Sequence, residues 1–325
     1  MKSFTNIMMG FVFTALSSLP TEARPNQEAD AAYNQGRIKE AVAIYTENAE
    51  AGDVEAQIQL ALIYSLGEGV GGRNIHEVIR WNIMAANNGS TEAAYELGEI
   101  YDPESLLRNY YGINSNRQES NKWYLIAFSR YLFAAGSGDL GAKEKLGQMN
   151  KDGKGVLQSY AEALRWWRSA SDAGSASAKI SIGFMFDAGK GVEKNFREAR
   201  KWYLAAAEMN DVTGQYLYAM SFYRNTTTPN ELAEALKWLL RAAEGHDDPL
   251  AGDVRRALAV AFGAGLGTKR DVVRAYMWYS LATLTGDDKA KRERAKLERQ
   301  MAPAQINLAQ RLAQKCQEIS FKACM

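Results

Sequence analysis

The chain has 325 residues, of which 39 are basic and 38 acidic, so its formal net charge is only +1. This balance argues against broad electrostatic capture of nucleic acid or of an anionic membrane surface. A protein interface or a neutral ligand is the favoured binding chemistry.

The N-terminal segment has the pattern of a secretory signal. An uncharged apolar stretch runs from about Ile7 to Leu19, and Thr21-Glu22-Ala23 is suited to cleavage before Arg24. An uncleaved anchor is the alternative, but the stretch is shorter than the roughly 20 residues that a spanning helix needs. We expect residues 1–23 to be removed, no integral membrane segment in the mature chain, and a periplasmic or secreted protein.

A recurring tryptophan organises the mature chain. Trp166, Trp202 and Trp238 follow one another at steps of 36 residues, and Trp278 follows after 40. Trp81 precedes Trp166 by two periods, one of them lengthened. A fixed period of this length is typical of a stacked-repeat architecture.

One copy of the repeat shows its chemistry. Ala56, Leu60 and Tyr64 lie four apart, which predicts the apolar face of a first helix. Trp81 and Ala85 belong to a similar stripe that predicts a second helix. The unit is therefore expected to be a helical hairpin, with an Asp or Ser N-cap at its start and a glycine at its end.

The same template fits further copies, with small residues where two helices approach closely. The structural positions that recur are Gly67, Gly69, Trp81, Gly153, Gly155, Trp166, Gly189, Gly191, Trp202, Trp238, Gly265, Gly267 and Trp278. We expect the tryptophans to be largely buried between helices, with ligand stacking as the alternative. The Gly-x-Gly-Val segments lack the lysine and hydroxyl residue of a phosphate loop, so a tight interhelical turn is the better interpretation.

Together, the small-x-x-x-x-Leu-Gly pattern, Gly-x-Gly-Val and Ala-x-x-Trp-aromatic-x-x-Ala-Ala resemble the Sel-one-like repeat, which is related to tetratricopeptide repeats. The resemblance covers roughly residues 28–286. It implies an all-α fold, an α/α superhelix that forms a right-handed solenoid of antiparallel helix pairs with a concave binding face. It also implies adaptor or scaffold roles in assembling membrane-associated and secreted complexes.

We expect residues 24–286 to form about seven hairpins in one domain, with one irregular copy after Ser90. That copy lacks Gly-x-Gly and has an insertion near residues 103–120, which is either a tolerated surface elaboration or a contact loop. Its second helix carries Arg130 where a tryptophan is expected.

Both ends have the pattern of caps that cover the apolar faces of a solenoid. A short hairpin around Tyr33 and Tyr45 lacks the repeat tryptophan, and residues 287–325 contain capping helices, the last beginning near Pro303. Cys316 and Cys324 are the only cysteines, and they form either a disulfide or two free thiols. A bond requires the last helix to end near Glu318, because an uninterrupted helix would hold the sulfurs about 12 Å apart.

Catalytic chemistry has little support in the sequence. The two histidines, His76 and His246, fall at predicted hairpin turns, where a solvated side chain is commoner than a general base. We expect no cofactor, no metal site and no enzymatic activity.

The favoured function is an exported scaffold, adaptor or regulator that binds a partner protein, in an envelope complex or on a host, in its concave groove. The alternative is a binder or hydrolase of cell-wall material or β-lactams, resembling a cysteine-rich branch of the family, although this chain lacks the paired cysteines of that branch. A third reading is a lumenal eukaryotic quality-control adaptor. The candidate partner-binding residues on the first helices are Gln57, Tyr95, Glu99, Lys179, Gln215, Tyr216 and Tyr218.

Overall fold

The computed structural model describes residues 26–225, 228–245 and 248–319, together with Phe321 and Cys324. The signal sequence expected at residues 1–23 and His246 lie outside the described residues. Within the described ranges all regular secondary structure is helical.

The helices follow one another with short connections. Their bounds are α1 Gln27–Asn34, α2 Ile38–Glu50, α3 Val54–Leu66, α4 Ile75–Asn87, α5 Thr91–Tyr101, α6 Leu106–Tyr111, α7 Arg117–Gly136, α8 Leu140–Asp152, α9 Tyr160–Asp172, α10 Ala176–Ala188, α11 Phe196–Ala207, α12 Val212–Asn225, α13 Pro229–Ala243, α14 Ala251–Ala264, α15 Val272–Thr283, α16 Asp288–Glu298 and α17 Pro303–Glu318. None of the described helices combines the length and the apolar character that a membrane span requires.

The helices pack in sequential pairs, which confirms the all-α hairpin architecture. The first helices of the pairs are α3, α5, α8, α10, α12 and α14, and the second helices are α4, α7, α9, α11, α13 and α15. Within each unit, second helices also contact the next first helix, as α4 contacts α5 and α11 contacts α12. Neighbouring pairs of one unit therefore cover each other's apolar faces.

The chain divides into two compact units, which we describe separately. Unit 1 is Met1–Phe133 with Lys154–Leu157, and unit 2 is Ala134–Gly153 with Gln158–Met325. Unit 1 contains a core built on Tyr45, Leu60 and Trp81. In unit 2 the cores of α9–α10 and of α11–α17 are built from alanines that alternate with larger side chains. The single domain expected for residues 24–286 stays a prediction.

N-caps start the helices where the sequence predicts them. Asp53 accepts a hydrogen bond from the Ala56 amide at 2.7 Å, and Asp139, Ser175 and Asp211 cap their helices in the same way. Such caps satisfy amides that have no partner within the helix, and each contributes about 1 kcal/mol.

The two glycines of each Gly-x-Gly turn have different tasks. The first ends the first helix in a left-handed conformation, as Gly189 does with a φ of 68°. The second also has a positive φ and approaches the preceding second helix closely. An added Cβ at Gly191 would lie 2.5 Å from Cβ of Tyr160, and one at Gly155 would lie 2.6 Å from the carbonyl oxygen of Tyr124. The turn thus needs glycine for both backbone conformation and space.

The contact between the two helices of a pair uses a glycine on the first and an aromatic ring on the second. Gly98 faces Tyr124, Gly147 faces Trp167, and an added Cβ at Gly183 would lie 2.5 Å from Cε1 of Tyr203. The aromatic residue in each case is the one after the repeat tryptophan.

This register decides how deeply each repeat tryptophan is buried. Trp81 and Trp278 are fully buried, whereas Trp166, Trp202 and Trp238 are partly buried. The reason is helical geometry, since one residue corresponds to a rotation of about 100°. In α9 and α11 the residue that faces the glycine lies at the centre of the pair, and the tryptophan before it is more exposed.

The irregular copy has its tryptophan at position 123, so the assignment of that position to Arg130 is wrong. Trp123 is buried, and Tyr124 after it faces Gly98 as in the regular pairs. In regular copies a glycine follows the tryptophan by eight residues, as Gly174 follows Trp166, whereas Gly138 follows Trp123 by fifteen. Arg130 has the regular spacing to Gly138 only because α7 is two turns longer than other second helices.

The insertion in this copy also ends earlier than expected. Asn116 caps α7 by accepting from the amides of Gln118 and Glu119, both at 3.1 Å. Its own amide donates to the Tyr101 carbonyl, as Asn195 donates to Phe186 in a regular pair. The insertion therefore comprises the residues between Tyr101 and Asn116, and α6 lies within it.

The C-terminal helices cover the last pair. Helix α15 packs against both α16 and α17, and α17 buries Ala309, Ala313 and Cys316. Helix α17 ends at Glu318, and Cys316 and Cys324 form a disulfide with their Cα atoms 5.3 Å apart.

We predict that Gly183→Ala destabilises the protein by about 1–3 kcal/mol, because the new methyl group overlaps the Tyr203 ring in a packed core. Gly136→Ala is the matched control, since Gly136 is helical, has no positive φ and has open space around its Cβ position. The control is expected to be neutral or slightly stabilising. Urea unfolding monitored by circular dichroism measures both, and equal midpoints for the two variants would contradict the packing described.

Candidate binding surface

The first helices turn one stripe of side chains away from the core. Residues four apart on a helix share a face, and this stripe contains Tyr95 and Glu99 in α5, Phe184 in α10, and Tyr216 and Met220 in α12. All five are partly or fully exposed. We call this stripe the first-helix face.

In unit 1 the first-helix face is polar, and Glu99 is its centre. The Glu99 carboxylate accepts hydrogen bonds from Tyr124 Oη at 2.9 Å and from Ser105 Oγ at 3.0 Å. It also pairs with Lys154, which comes from the Gly-x-Gly turn of the following copy. The Lys154 ammonium lies 5.5 Å from the centre of the Tyr95 ring. Glu99 therefore connects α5, the insertion, α7 and the next turn.

The surroundings of Glu99 favour its charged form. Burial by itself raises the pKa of this carboxyl, but the hydrogen bond and charge of Lys154, with hydrogen bonds from Tyr124 and Ser105, lower it by more, so the net pKa is lowered. Burial and the Glu99 charge raise the pKa of Tyr124, which therefore stays a neutral donor.

The insertion lies against the preceding copy. Tyr111 Oη and Ser65 Oγ are 2.6 Å apart, and the Arg73 guanidinium lies 4.2 Å from the centre of the Tyr110 ring. Burial raises the pKa of Tyr111 to about 12. These contacts hold α6 in place, and the sequence alternative of a dedicated contact loop stays a prediction.

On α10 and α12 of unit 2 the first-helix face carries exposed apolar side chains. The side chain of Phe184 is 47% exposed and its ring packs edge-on against Tyr203, with centroids 5.7 Å apart. Beside it, Phe196 is 39% exposed at the start of α11. A shallow depression between α10, α11 and α12 is lined by Asp187, Phe196, Ala199, Tyr203, Leu217, Met220 and Ser221. We call Phe184, Phe196, Met220 and this depression the apolar shelf.

Three of the candidate partner-binding residues lie at the fourth position after an N-cap, and this position serves the fold. Gln57 is fully buried and donates to the Ala49 carbonyl, at the end of the preceding second helix, at 2.8 Å. Lys179 donates to the Ser171 carbonyl at 3.1 Å, and Gln215 is buried. Because helix ends leave carbonyls without partners, Gln57 and Lys179 satisfy two of them. Gln57 and Gln215 are therefore not available to a partner.

Tyr218, another candidate partner-binding residue, does not lie on the first-helix face. It is 8% exposed and packs edge-on against Phe222 and Trp238, so it belongs to the core of unit 2. Tyr95 and Glu99 do lie together on the first-helix face, although Glu99 is engaged in internal contacts. Tyr216 is partly exposed in α12.

Sequence reasoning missed Phe184, Phe196 and Lys154. Phe184 comes directly after the glycine of the Leu-Gly position in the repeat. Because that glycine belongs to the core stripe, the next residue is turned away from the core, and its exposure could have been predicted from the sequence. No signal of this kind exists for Lys154, because its partner Glu99 is 55 residues away in the chain.

The described residues include no group of three or more His, Cys, Asp or Glu side chains placed to hold a metal ion. His76 is exposed in the first turn of α4, where its amide donates to the Asn74 cap.

The Sel1 repeat family model matches the chain six times, at residues 54–90, 91–130, 142–175, 176–211, 212–247 and 255–287. The chain belongs to the Sel1 repeat family. The second match includes Trp123, in agreement with the corrected register, and the matches together cover more than half of the chain.

The chain is similar to three solved structures, and a Sel1 repeat protein among them has a similar fold. A Sel1 repeat protein from Oxalobacter formigenes is 24% identical, with 80% of this chain and 97% of that chain covered and a TM-score of 0.56. The protective antigen c5321 of uropathogenic Escherichia coli, which displays an SLR fold, is 20% identical over 89% and 84% of the two chains, with a TM-score of 0.28. The immunity protein Pa5087 from Pseudomonas aeruginosa is 16% identical over 72% and 83%, with a TM-score of 0.43.

The first of these similarities shows the fold alone, and the other two superpositions are too poor to support a statement about this protein. No curated protein matches the sequence. As a Sel1 repeat protein it is consistent with a scaffold for protein interaction.

We predict that Glu99→Gln lowers the unfolding free energy by about 1.5–3 kcal/mol at neutral pH, because the partly buried partner of Lys154 loses its charge. The folded pKa of Glu99 is lowered, so its stabilising contribution is complete above the unfolded pKa of about 4.3 and is lost as the pH falls through the folded value. The difference from wild type should therefore shrink in acid. Urea titrations at several pH values measure it.

The control is Glu92→Gln, which removes the same charge from an exposed position of α5. It should change stability by less than about 0.5 kcal/mol. A Glu99→Gln effect of the same size at every pH would show that the charge is not its source.

Proposed function

We propose that this Sel1 repeat protein is an exported scaffold that binds a partner protein along its first-helix faces. The observation that carries the proposal is the apolar shelf of unit 2, where Phe184 and Phe196 remain exposed beside one depression. Aromatic side chains beside polar groups are common anchors of protein interfaces. The repeats supply the rigid support that such anchors need.

Binding explains the first-helix faces better than catalysis does. The arginine that borders the shelf depression is engaged within the protein, since Arg200 donates to Ser221 and Glu231. In unit 1, Glu99 and Tyr124 complete each other's hydrogen bonds. Polar groups whose hydrogen bonds are made within the protein keep the surface rigid. A rigid surface favours binding of a partner with a complementary shape.

Export is supported by the signal-like pattern of residues 1–23 and by the oxidised pair Cys316 and Cys324. We place the mature protein in the periplasm or outside the cell, in an envelope complex or against a host protein. A regulatory or assembly role would use the same surface.

Site-specific photocrosslinking tests the binding surface. We expect a photoreactive amino acid at Phe184 or Met220 to give the same partner adduct in cells, because both positions border the apolar shelf. The adduct can be identified by mass spectrometry after purification of the protein under denaturing conditions.

Matched controls place the same photoreactive group on second helices, at Lys201 and Arg165, whose side chains are 74% and 70% exposed. These should give little of the adduct. If the second-helix positions capture the partner as well as Phe184 does, or if the shelf positions capture none, the proposed surface is wrong.

Mass spectrometry of envelope and culture fractions tests export. We expect a mature N-terminus at Arg24 and an intact mass about two daltons below that of the reduced chain, because the disulfide removes two hydrogens. Full-length protein confined to the cytoplasm, with both thiols reactive to an alkylating agent, would refute the export proposal.

A further inference from the structure

We infer that the apolar shelf of unit 2 takes an acidic peptide segment that carries an aromatic or aliphatic anchor. The inference rests on the proposed function and specifies the chemistry of the partner. The observation that supports the inference is the excess of basic side chains near the shelf.

The turn from α10 to α11 is basic. Residues 187–201 contain five basic side chains, at 190, 194, 197, 200 and 201, and three acidic ones, at 187, 193 and 198. The local net charge is therefore +2, compared with +1 for the whole chain. Such an excess attracts anionic segments and raises their rate of association.

Most of the pairing in this segment occurs away from the turn. Lys201 pairs with Glu198, and Arg200 pairs with Glu231. Among the described residues, none of the salt bridges within 4.0 Å involves Lys190, Lys194 or Arg197. These three cations, which we call the basic rim, are available to a carboxylate from outside.

Lys194 of the basic rim lies at the apolar shelf. Its ammonium lies 4.8 Å from the centre of the Phe196 ring, and Phe196 lines the depression. The attraction between the cation and the ring holds the ammonium over the shelf edge. A partner side chain that packs on the exposed Phe196 ring would thus have a positive charge beside it.

Arg200 and Asp187 border the same depression but have other tasks. The Arg200 guanidinium lies 4.0 Å from the centre of the Phe222 ring and donates to the Ser221 carbonyl at 3.2 Å, so it supports the wall. Asp187 is the one carboxylate that lines the depression in the described part of the chain. It favours a neutral anchor at the centre, with acidic residues of the partner placed toward the rim.

The first-helix face of unit 1 does not offer the same combination. Its lysine, Lys154, is already paired with Glu99, and its exposed ring, Tyr95, lies against Tyr124. The acidic segment is therefore assigned to unit 2.

Peptide display on the purified mature protein tests the inference. A random peptide library selected against it should yield sequences with an excess of Asp and Glu around one aromatic or aliphatic residue. Synthesised peptides from the selection should bind with an affinity that falls by roughly tenfold or more as salt is raised, because exposed charges are screened.

Two substitutions test the location. Phe184→Ser and Lys194→Glu should each weaken binding of the selected peptides by about tenfold or more, measured by fluorescence anisotropy. The matched controls are Leu284→Ser, at an apolar side chain that is 62% exposed, and Lys237→Glu, at a lysine whose side chain is 76% exposed on α13. Both controls should bind like wild type, and circular dichroism confirms that all four variants fold.

The outcomes separate this inference from the proposed function. Selected peptides that are basic or neutral, or that bind the Phe184→Ser and Lys194→Glu variants as tightly as wild type, overturn the acidic-segment inference. Selection of no binder also counts against it. In each case a specific photocrosslink from Phe184 would still support partner binding, whereas loss of that crosslink would remove the proposed function itself.

Discussion

Gly98, Gly147 and Gly183 each face a ring of the following second helix, and a single added methyl group at any of them would overlap that ring. The absence of a side chain lets the two helices approach and lets the ring fill the centre of the pair. The second glycine of a Gly-x-Gly turn likewise allows close contact with the preceding second helix. The distance between helices within a pair and between neighbouring pairs therefore depends on residues that have no side chain.

The surface left for binding follows from this packing. Once the aromatic residue after each tryptophan faces the glycine, the residue after that glycine must point away from the core. In unit 1 this residue is Glu99, which is held by Tyr124, Ser105 and Lys154. In α10 of unit 2 it is Phe184, which remains exposed. The same position of the repeat thus carries a carboxylate with internal hydrogen bonds in one copy and an exposed aromatic ring in another.

In a repeat protein of this kind, the copies that differ from the regular repeat can give the surface its specific features. The long α7, the inserted α6 and the basic turn before α11 are local changes that leave the helix pairs intact. Repeats tolerate them because each pair depends mainly on its neighbours. The proposed recognition accordingly uses one segment, the apolar shelf with its basic rim, and leaves the other helix pairs unchanged.

The sequence by itself determined the helix pairs, their N-caps, the Gly-x-Gly turns and the family, because each depends on local periodicity or on a backbone conformation that one residue type adopts. Only the tertiary structure decided that Trp167 rather than Trp166 fills its pair, that Gln57 and Lys179 serve preceding helix ends, and that Phe184 and Phe196 form a shelf. These outcomes depend on rotation about a helix axis and on contacts between residues far apart in the chain. A pattern along one helix does not contain that information.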